Sequence, residues 1–305
     1  MKDISVITTT FNSSETIRKF DFQIRRHLEN LNLSYEIIYV DDGSSDSTSD
    51  ILREICLNSN DTKAFIFSRN FGHHKALWVG ITKSSGRWSY LTDSDLEESP
   101  ANLEVFWQAR ESNPHIDIFM GHQSSRRGRI WERFTGLIIW RFISSTSDIH
   151  IPINLVTSRL FASNVRDVIS NFSEKEIFIA HTFAFAGFRQ LLIPVEKLAL
   201  KKSHYNLSKK LKLAVDGITN TSIKPLKYIF MLGLAFEALS VSSILFLVFL
   251  RARGTTIVQG WTTLVTLNLF TSGIILLSIG VVGLYISRIF LEVKGKPSFI
   301  IRDEY

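Results

Sequence analysis

The chain of 305 residues carries 35 lysines and arginines against 29 aspartates and glutamates, a formal net charge of +6. That excess is too small and too local for a nucleic-acid-binding surface, so no nucleic-acid partner is expected. Cys56 is the single cysteine, which excludes an internal disulfide framework and a thiolate metal cluster; it is expected to be a small buried residue.

Residues 4–10 (ISVITTT) are short and β-rich, as a buried strand is. The opening MKDISVITTTFN enters this strand at once, with no apolar run followed by a cleavage-type site, so the first domain is expected in the cytoplasm. Residues 14–31 read as a helix, because Thr16, Ile17, Phe20, Ile24 and Leu28 recur at helical spacing. Residues 35–40 (YEIIYV) form a second strand, stopped by Asp41, Asp42, Gly43 and Ser44. A helix over 47–58 turns Ile51, Leu52 and Ile55 inward. A third strand follows at 63–67 (KAFIF), then a helix over 73–84 and a fourth strand at 88–92 (WSYLT). Strand and helix in alternation define an α/β domain with a mostly parallel sheet covered on both faces. Further on, 100–111 reads as helix, 115–121 as strand, 174–181 as helix and 190–195 as strand; the pattern over 124–154 is weak.

The apolar residues concentrate in the last part of the chain. Residues 228–250 are twenty-three residues with one charge, Glu237, long enough at about 1.5 Å per residue to cross a hydrocarbon core of about 30 Å. A short turn at 251–261 holds two arginines, and a second apolar run covers 262–286. Gly273, Gly280 and Gly283 in this second run would permit close helix packing. Lysines 201, 202, 209, 210, 212, 224 and 227 precede the first run, and Arg288, Lys294 and Lys296 follow the second. That asymmetry places both flanks on the cytoplasmic side and implies contact with anionic membrane lipids. Within it, 208–218 reads as an amphipathic helix suited to a bilayer surface. The expected organisation is therefore an α/β domain over 1–200, an amphipathic interface segment over 201–227, a two-span transmembrane hairpin over 228–290 and a cytoplasmic tail over 291–305.

Ligands of open α/β sheets bind beyond the carboxyl ends of the strands, and three polar clusters fall there. After the fourth strand come Asp93, Ser94, Asp95, Leu96, Glu97 and Glu98. Asp93 and Asp95, with Glu97 as a third ligand, suit a hard divalent cation, Mg²⁺ or Mn²⁺, bridging two phosphates; the plainer alternative is an acidic loop leading into a helix. After the second strand, Asp41 or Asp42 can accept hydrogen bonds from a nucleobase or ribose, while Gly43 permits the turn. Thr9 and Asn12, after the first strand, would complete that side. Arg69 and Lys75 lie between the acidic clusters and could face phosphate oxygens. No GxGxxG, GxxxxGK[ST] or GxSxG pattern occurs at the expected places, which disfavours a dinucleotide enzyme, a P-loop nucleotidase and a serine hydrolase.

The segments ISVITTTFNSSETI, YEIIYVDDGSSDST, FSRNFGHHKA and YLTDSDLEESP resemble the family two glycosyltransferases. With AFAGFRQ, SHYNLSKKLKLAVDGI and IGVVGLYISRIFLEVKGKPSF, the resemblance extends over nearly the whole chain to the polyprenol-phosphate sugar transferases, the dolichol-phosphate-mannose synthase and bactoprenol glucosyl transferase group. It implies a nucleotide-sugar-binding GT-A type domain and inverting transfer of a sugar to polyprenyl phosphate, undecaprenyl phosphate above all, for cell-surface glycans. Asp42 would bind the nucleoside, and Asp93 and Asp95 the diphosphate and metal, in the plasma (inner) membrane as a multi-pass protein; a homo-oligomer is compatible with it. The sequence departs from the family at PINLVTSR, where an aspartate and an arginine are missing, and at EKLALKKSHY, where His204 replaces a lysine. Lys201, Lys202 or His204 would take over the acceptor-phosphate contact. Two other readings stay open: a membrane-tethered transferase extending a lipid-linked glycan, for which Asp148 is the candidate base, and a non-catalytic scaffold.

Overall fold

The computed structural model describes residues 1–123, 154–172, 177–196 and 260–305, together with residue 152 and scattered helical positions between 226 and 253. The chain divides into two compact units, one holding the first part of the sequence together with residues 296–305, the other centred on the long apolar helix.

In the first unit β1 (Ile4–Thr10), β2 (Tyr35–Asp41), β3 (Thr62–Phe67) and β4 (Trp88–Asp93) alternate with α1 (Ile17–Asn30), α2 (Thr48–Leu57) and α3 (His73–Lys83). They are followed by α4 (Asn102–Ser112), β5 (Ile118–His122), β6 (Leu155–Ala162), α5 (Ser163–Ser170), α6 (Ile179–Phe185), β7 (Gln190–Pro194) and, after the apolar helix, β8 (Ile301–Glu304). The eight strands form one sheet in the order β7-β5-β6-β4-β1-β2-β3-β8. β1 pairs in parallel with both β2 and β4, and β2 with β3, while β6 and β8 run antiparallel to their neighbours.

Period-two alternation divides the sheet's side chains between two cores. Ile4, Val6, Ile37, Tyr39 and Tyr90 face the stripe of Ile17, Phe20, Ile24 and Leu28 on α1, Leu52 on α2 and Phe106 on α4. Ile7, Ile38, Val40 and Leu91 face Leu77, Val79 and Ile81 on α3, Val165 and Ile169 on α5, and Phe183 on α6. Because α1 and α2 lie on one face and α3 on the other, the chain after β3 returns to the far side of β1. The strand order therefore reverses between β1 and β4, where an open α/β sheet has its ligand crevice.

Among the described residues three elements escape the sequence reading: β6, α5 and β8. β6 occupies a central position yet carries Ser158 and Arg159, both buried, which interrupt its apolar run. The helix read at 174–181 is instead Ile179–Phe185, and residues 173–176 lie outside the described ones. Cys56 is half-buried rather than buried, and burial pushes its thiol up to about 11.

The second unit contains α7 (Trp261–Val293), 33 residues long. Its window Phe270–Ser287 has a mean hydropathy of 1.9, and none of that window is buried in the protein. Such a helix satisfies its own backbone and exposes apolar side chains, Leu276 to 70%, which suits hydrocarbon rather than water. Among the described residues it is the one helix long and apolar enough to cross a membrane. Tyr228 to Gly233 are also helical, but the run over 228–250, with Glu237, lies largely outside the described residues, as does the amphipathic stretch over 208–218. Among the described residues nothing packs at Gly273, Gly280 or Gly283: a Cβ there would meet no atom within 4 Å.

Candidate active site

Asp41, which ends β2, and Asp42, which follows it, have different surroundings, because successive residues of an extended chain point opposite ways. Asp41 is fully buried. Its carboxylate accepts from Thr10 Oγ1 at 3.0 Å, from Ser49 Oγ at 3.0 Å, from the Ser44 amide at 3.0 Å and from the Ser44 hydroxyl. These bonds hold the turn after β2. Asp42 points the other way and accepts from the amides of Phe71 (2.7 Å) and Gly72 (3.0 Å). Burial raises the Asp42 carboxyl above the usual carboxylate range, against those two amide bonds. Gly43 has φ +71°, and a Cβ there would lie 2.3 Å from the Arg69 carbonyl carbon. Only glycine lets the β2 turn press so closely on the loop after β3. Asn12 ties in the loop after β1: its Oδ1 accepts from the Ser45 amide at 2.9 Å and its own amide donates to Ser44 Oγ at 2.8 Å. The exposed Arg69 guanidinium lies over the Phe71 ring at 4.2 Å.

The acidic centre stands at the switch point. Thr9 of β1 and Asp93 of β4 are register partners. Thr9 Oγ1 lies 3.4 Å from Asp93 Oδ1 and 3.0 Å from His73 Nδ1, and His73 Nε2 is 3.7 Å from the same carboxylate oxygen. On its other side Thr157 Oγ1 donates to Asp93 Oδ2 at 2.6 Å. The buried Ser94 turns inward and donates to the Thr9 carbonyl at 2.8 Å. Asp95 is exposed; its Oδ1 accepts from the Glu97 amide at 2.9 Å, in a turn where Leu96 has φ +60°. Lys75 sits in the first turn of α3.

Beneath this centre Glu98 is fully buried and accepts from the Thr157 amide (3.1 Å), the Ser158 amide (3.0 Å) and the Ser158 hydroxyl. The Arg159 guanidinium behind it is pushed down to about 10 by burial, opposed by the charges of Glu98 and Asp93. Glu98, Thr157, Arg159 and His73 are absent from the sequence-derived site. Glu98 adjoins the acidic motif and His73 lies in FGHHKA, but nothing local in the sequence shows that β6 meets β4.

Among the described residues no three acidic, histidine or cysteine side chains converge as a ready-made metal site, so Asp93, Asp95 and Glu97 do not form a preassembled triad. Asp93 and Asp95 nevertheless fit a hard divalent ion: Mg²⁺ is commonly held by one or two carboxylates together with phosphate oxygens of the substrate. Lys201, Lys202, His204 and Asp148 lie outside the described residues.

His74 is largely enclosed against Phe178, ring centroids 5.2 Å apart, and its Nδ1 finds no hydrogen-bond partner among the described residues. Burial, with the charges of His73 and Arg159, pushes its imidazole down to about 4 from 6.5. The unfolded chain thus binds the proton more readily. The stability His74 contributes is complete above pH 6.5 and is lost as pH falls toward 4. Between pH 7 and pH 5 the loss comes to about 2 kcal/mol. His74→Phe is expected to remove that part of the acid sensitivity. Melting midpoints of both proteins across this range check it, and parallel pH profiles would refute it.

The mostly parallel α/β sheet, with acidic residues at the carboxyl ends of β2 and β4, is a GT-A-like fold. The glycosyl transferase family 2 model matches residues 5–173, and the chain belongs to that family. It is 31% identical over 306 residues to the uncharacterized glycosyltransferase YkcC of Bacillus subtilis (strain 168), covering 99% of this chain and 94% of that one. It is 29% identical over 310 residues to the SfII prophage-derived bactoprenol glucosyl transferase of Shigella flexneri, covering 99% and 98%. Among solved structures, the mannosyltransferase PcManGT from Pyrobaculum calidifontis, in complex with GDP-Man and Mn²⁺, shares the fold with TM-score 0.50 and 16% identity, over 72% of this chain and 63% of that one.

Proposed function

We propose that this glycosyltransferase moves a sugar from a nucleotide-sugar donor to a polyprenyl phosphate, undecaprenyl phosphate in particular, at the cytoplasmic face of the membrane and with inversion. The observation that carries the reading is the placement of Asp93 at the β1/β4 switch point, with Asp42 directly after the neighbouring strand β2, in a chain that aligns with a bactoprenol glucosyl transferase over 98% of its length.

The turn braced by Asp41, with Asp42, Thr9 and Asn12, receives the nucleoside. Arg69 and Lys75 face the diphosphate. Asp93 and Asp95 would hold the divalent cation, Mg²⁺ or Mn²⁺, which when bound neutralises charge on the leaving diphosphate. Thr9, Thr157 and His73 fix the Asp93 carboxylate, so little reorganisation is needed as that charge develops. Lys201, Lys202 and His204 receive the acceptor phosphate. Its oxygen is anionic at neutral pH, so it attacks the anomeric carbon without a strong general base. The new C–O bond forms opposite the bond to the diphosphate, which breaks and releases the nucleoside diphosphate. α7 and the run over 228–250 form a two-span hairpin with its basic flanks in the cytoplasm, and the lysine-rich 201–227 segment lies on anionic headgroups. Together they hold the site at the layer where the lipid phosphate resides.

Incubating the detergent-solubilised protein with undecaprenyl phosphate, Mn²⁺ or Mg²⁺ and a panel of nucleotide sugars should give one glycosyl-phosphoryl-polyprenol, identified by mass. Transfer only to a preformed lipid-linked glycan, or no lipid product from any donor, would overturn the reading.

A further inference from the structure

The chain leaves α7 at Val293, turns through Gly295 (φ +69°) and enters β8, which pairs antiparallel with the edge strand β3. Pairing continues past β3, where the Ser68 amide donates to the Ile300 carbonyl at 3.0 Å. Ser68 begins the loop whose Phe71 and Gly72 amides hold Asp42. The contact is also made by side chains. The Phe299 ring stacks on Phe67 with centroids 5.5 Å apart and planes 12° apart. Phe67 meets Phe71 edge-on at 5.7 Å, and Phe71 carries the Arg69 guanidinium on its face. Phe299 thus packs against Phe67, whose edge-on partner Phe71 carries Arg69 on its ring and donates its amide to Asp42.

We propose that residues 296–305 brace the donor side of the site and that Phe299 is its positioning residue, acting through Phe67 and Phe71 on Asp42 and Arg69. The segment that emerges from the apolar helix thereby sets the geometry of nucleotide binding in the α/β domain. The identity of the ligand rests on the proposed function; the brace itself does not.

The test uses the full chain in detergent. Phe299→Leu keeps the sheet edge covered but removes the ring, and Phe299→Tyr keeps the stack. One stacked aromatic pair corresponds to about three- to ten-fold in an equilibrium. Phe299→Leu should therefore speed amide hydrogen exchange over residues 68–72 and weaken UDP or GDP binding with Mn²⁺ by about that factor. The apparent affinity for the lipid acceptor should stay unchanged, and Phe299→Tyr should restore both readouts. Wild-type exchange over 68–72 in Phe299→Leu, unaltered nucleotide affinity, or equal weakening toward donor and acceptor would each overturn the brace. If the wild-type chain bound neither nucleotide, the proposed function would fall, and exchange over 68–72 would still decide whether Phe299 holds the loop.

Discussion

Asp95→Asn is expected to lower metal-supported sugar transfer by about 10²-fold or more, near 3 kcal/mol of lost transition-state stabilisation. The expected cause is the loss of an anionic oxygen facing the cation and the leaving diphosphate. The local turn should survive, because the Asp95 contact to the Glu97 amide at 2.9 Å needs only an acceptor oxygen, and asparagine retains one. The side chain is exposed, and asparagine keeps its size and shape. Activity and folding therefore separate at this position. Transfer rates of wild type and variant across a Mn²⁺ titration, alongside their melting midpoints, measure both. Equal metal-dependent rates would make Asp95 a turn residue only and remove it from the metal site. Asp93→Asn is less discriminating, since that carboxylate also accepts from Thr9 and Thr157 and its loss would disturb the scaffold as well.

The elements up to β4 were legible in the sequence because each obeys one rule. β1 to β4 are short β-rich runs buried on both faces, and α1 shows its stripe at Ile17, Phe20, Ile24 and Leu28. The acidic motifs could be placed at strand ends because turn residues follow each strand directly. What was hidden depends on contacts distant in sequence. β6 looks like a poor core strand until Glu98, some sixty positions earlier, supplies the partner for the Thr157 and Ser158 amides. β8 (IRDE) reads as a polar tail, and its charges suit a strand at the rim of a sheet. Asp41 and Asp42 are equivalent as letters. Strand alternation sends one into the turn it stabilises and the other toward the loop after β3. Lys201, Lys202 and His204 lie outside the described residues, and their acceptor contact belongs to the proposed function.

Glu98→Ala is expected to destabilise the α/β domain by about 3–5 kcal/mol, the range for removing one member of a buried charged group. The carboxylate is fully buried and accepts from two backbone amides and a hydroxyl of β6. Without it those donors have no acceptor at that place, and each buried donor left unmade costs about 1–3 kcal/mol. Arg159 compounds the loss: its guanidinium is already pushed down by burial, and the Glu98 charge is the first of the influences that oppose this. Glu98→Gln keeps the volume and one acceptor oxygen but presents an NH₂ to neighbouring donors, so it should fall between wild type and alanine. The effect should reach the active site even where the protein remains folded. Thr157 hangs between Glu98, through its amide, and Asp93, through its hydroxyl. Freeing its backbone loosens the Asp93 carboxylate, which the proposed function assigns to the diphosphate and cation. Thermal midpoints and transfer rates of the three proteins, measured at a temperature where all are folded, test both parts. A midpoint for Glu98→Ala within about 1 °C of wild type, which for a domain of this size is well under 1 kcal/mol, would show that β6 does not depend on Glu98 for its place in the sheet.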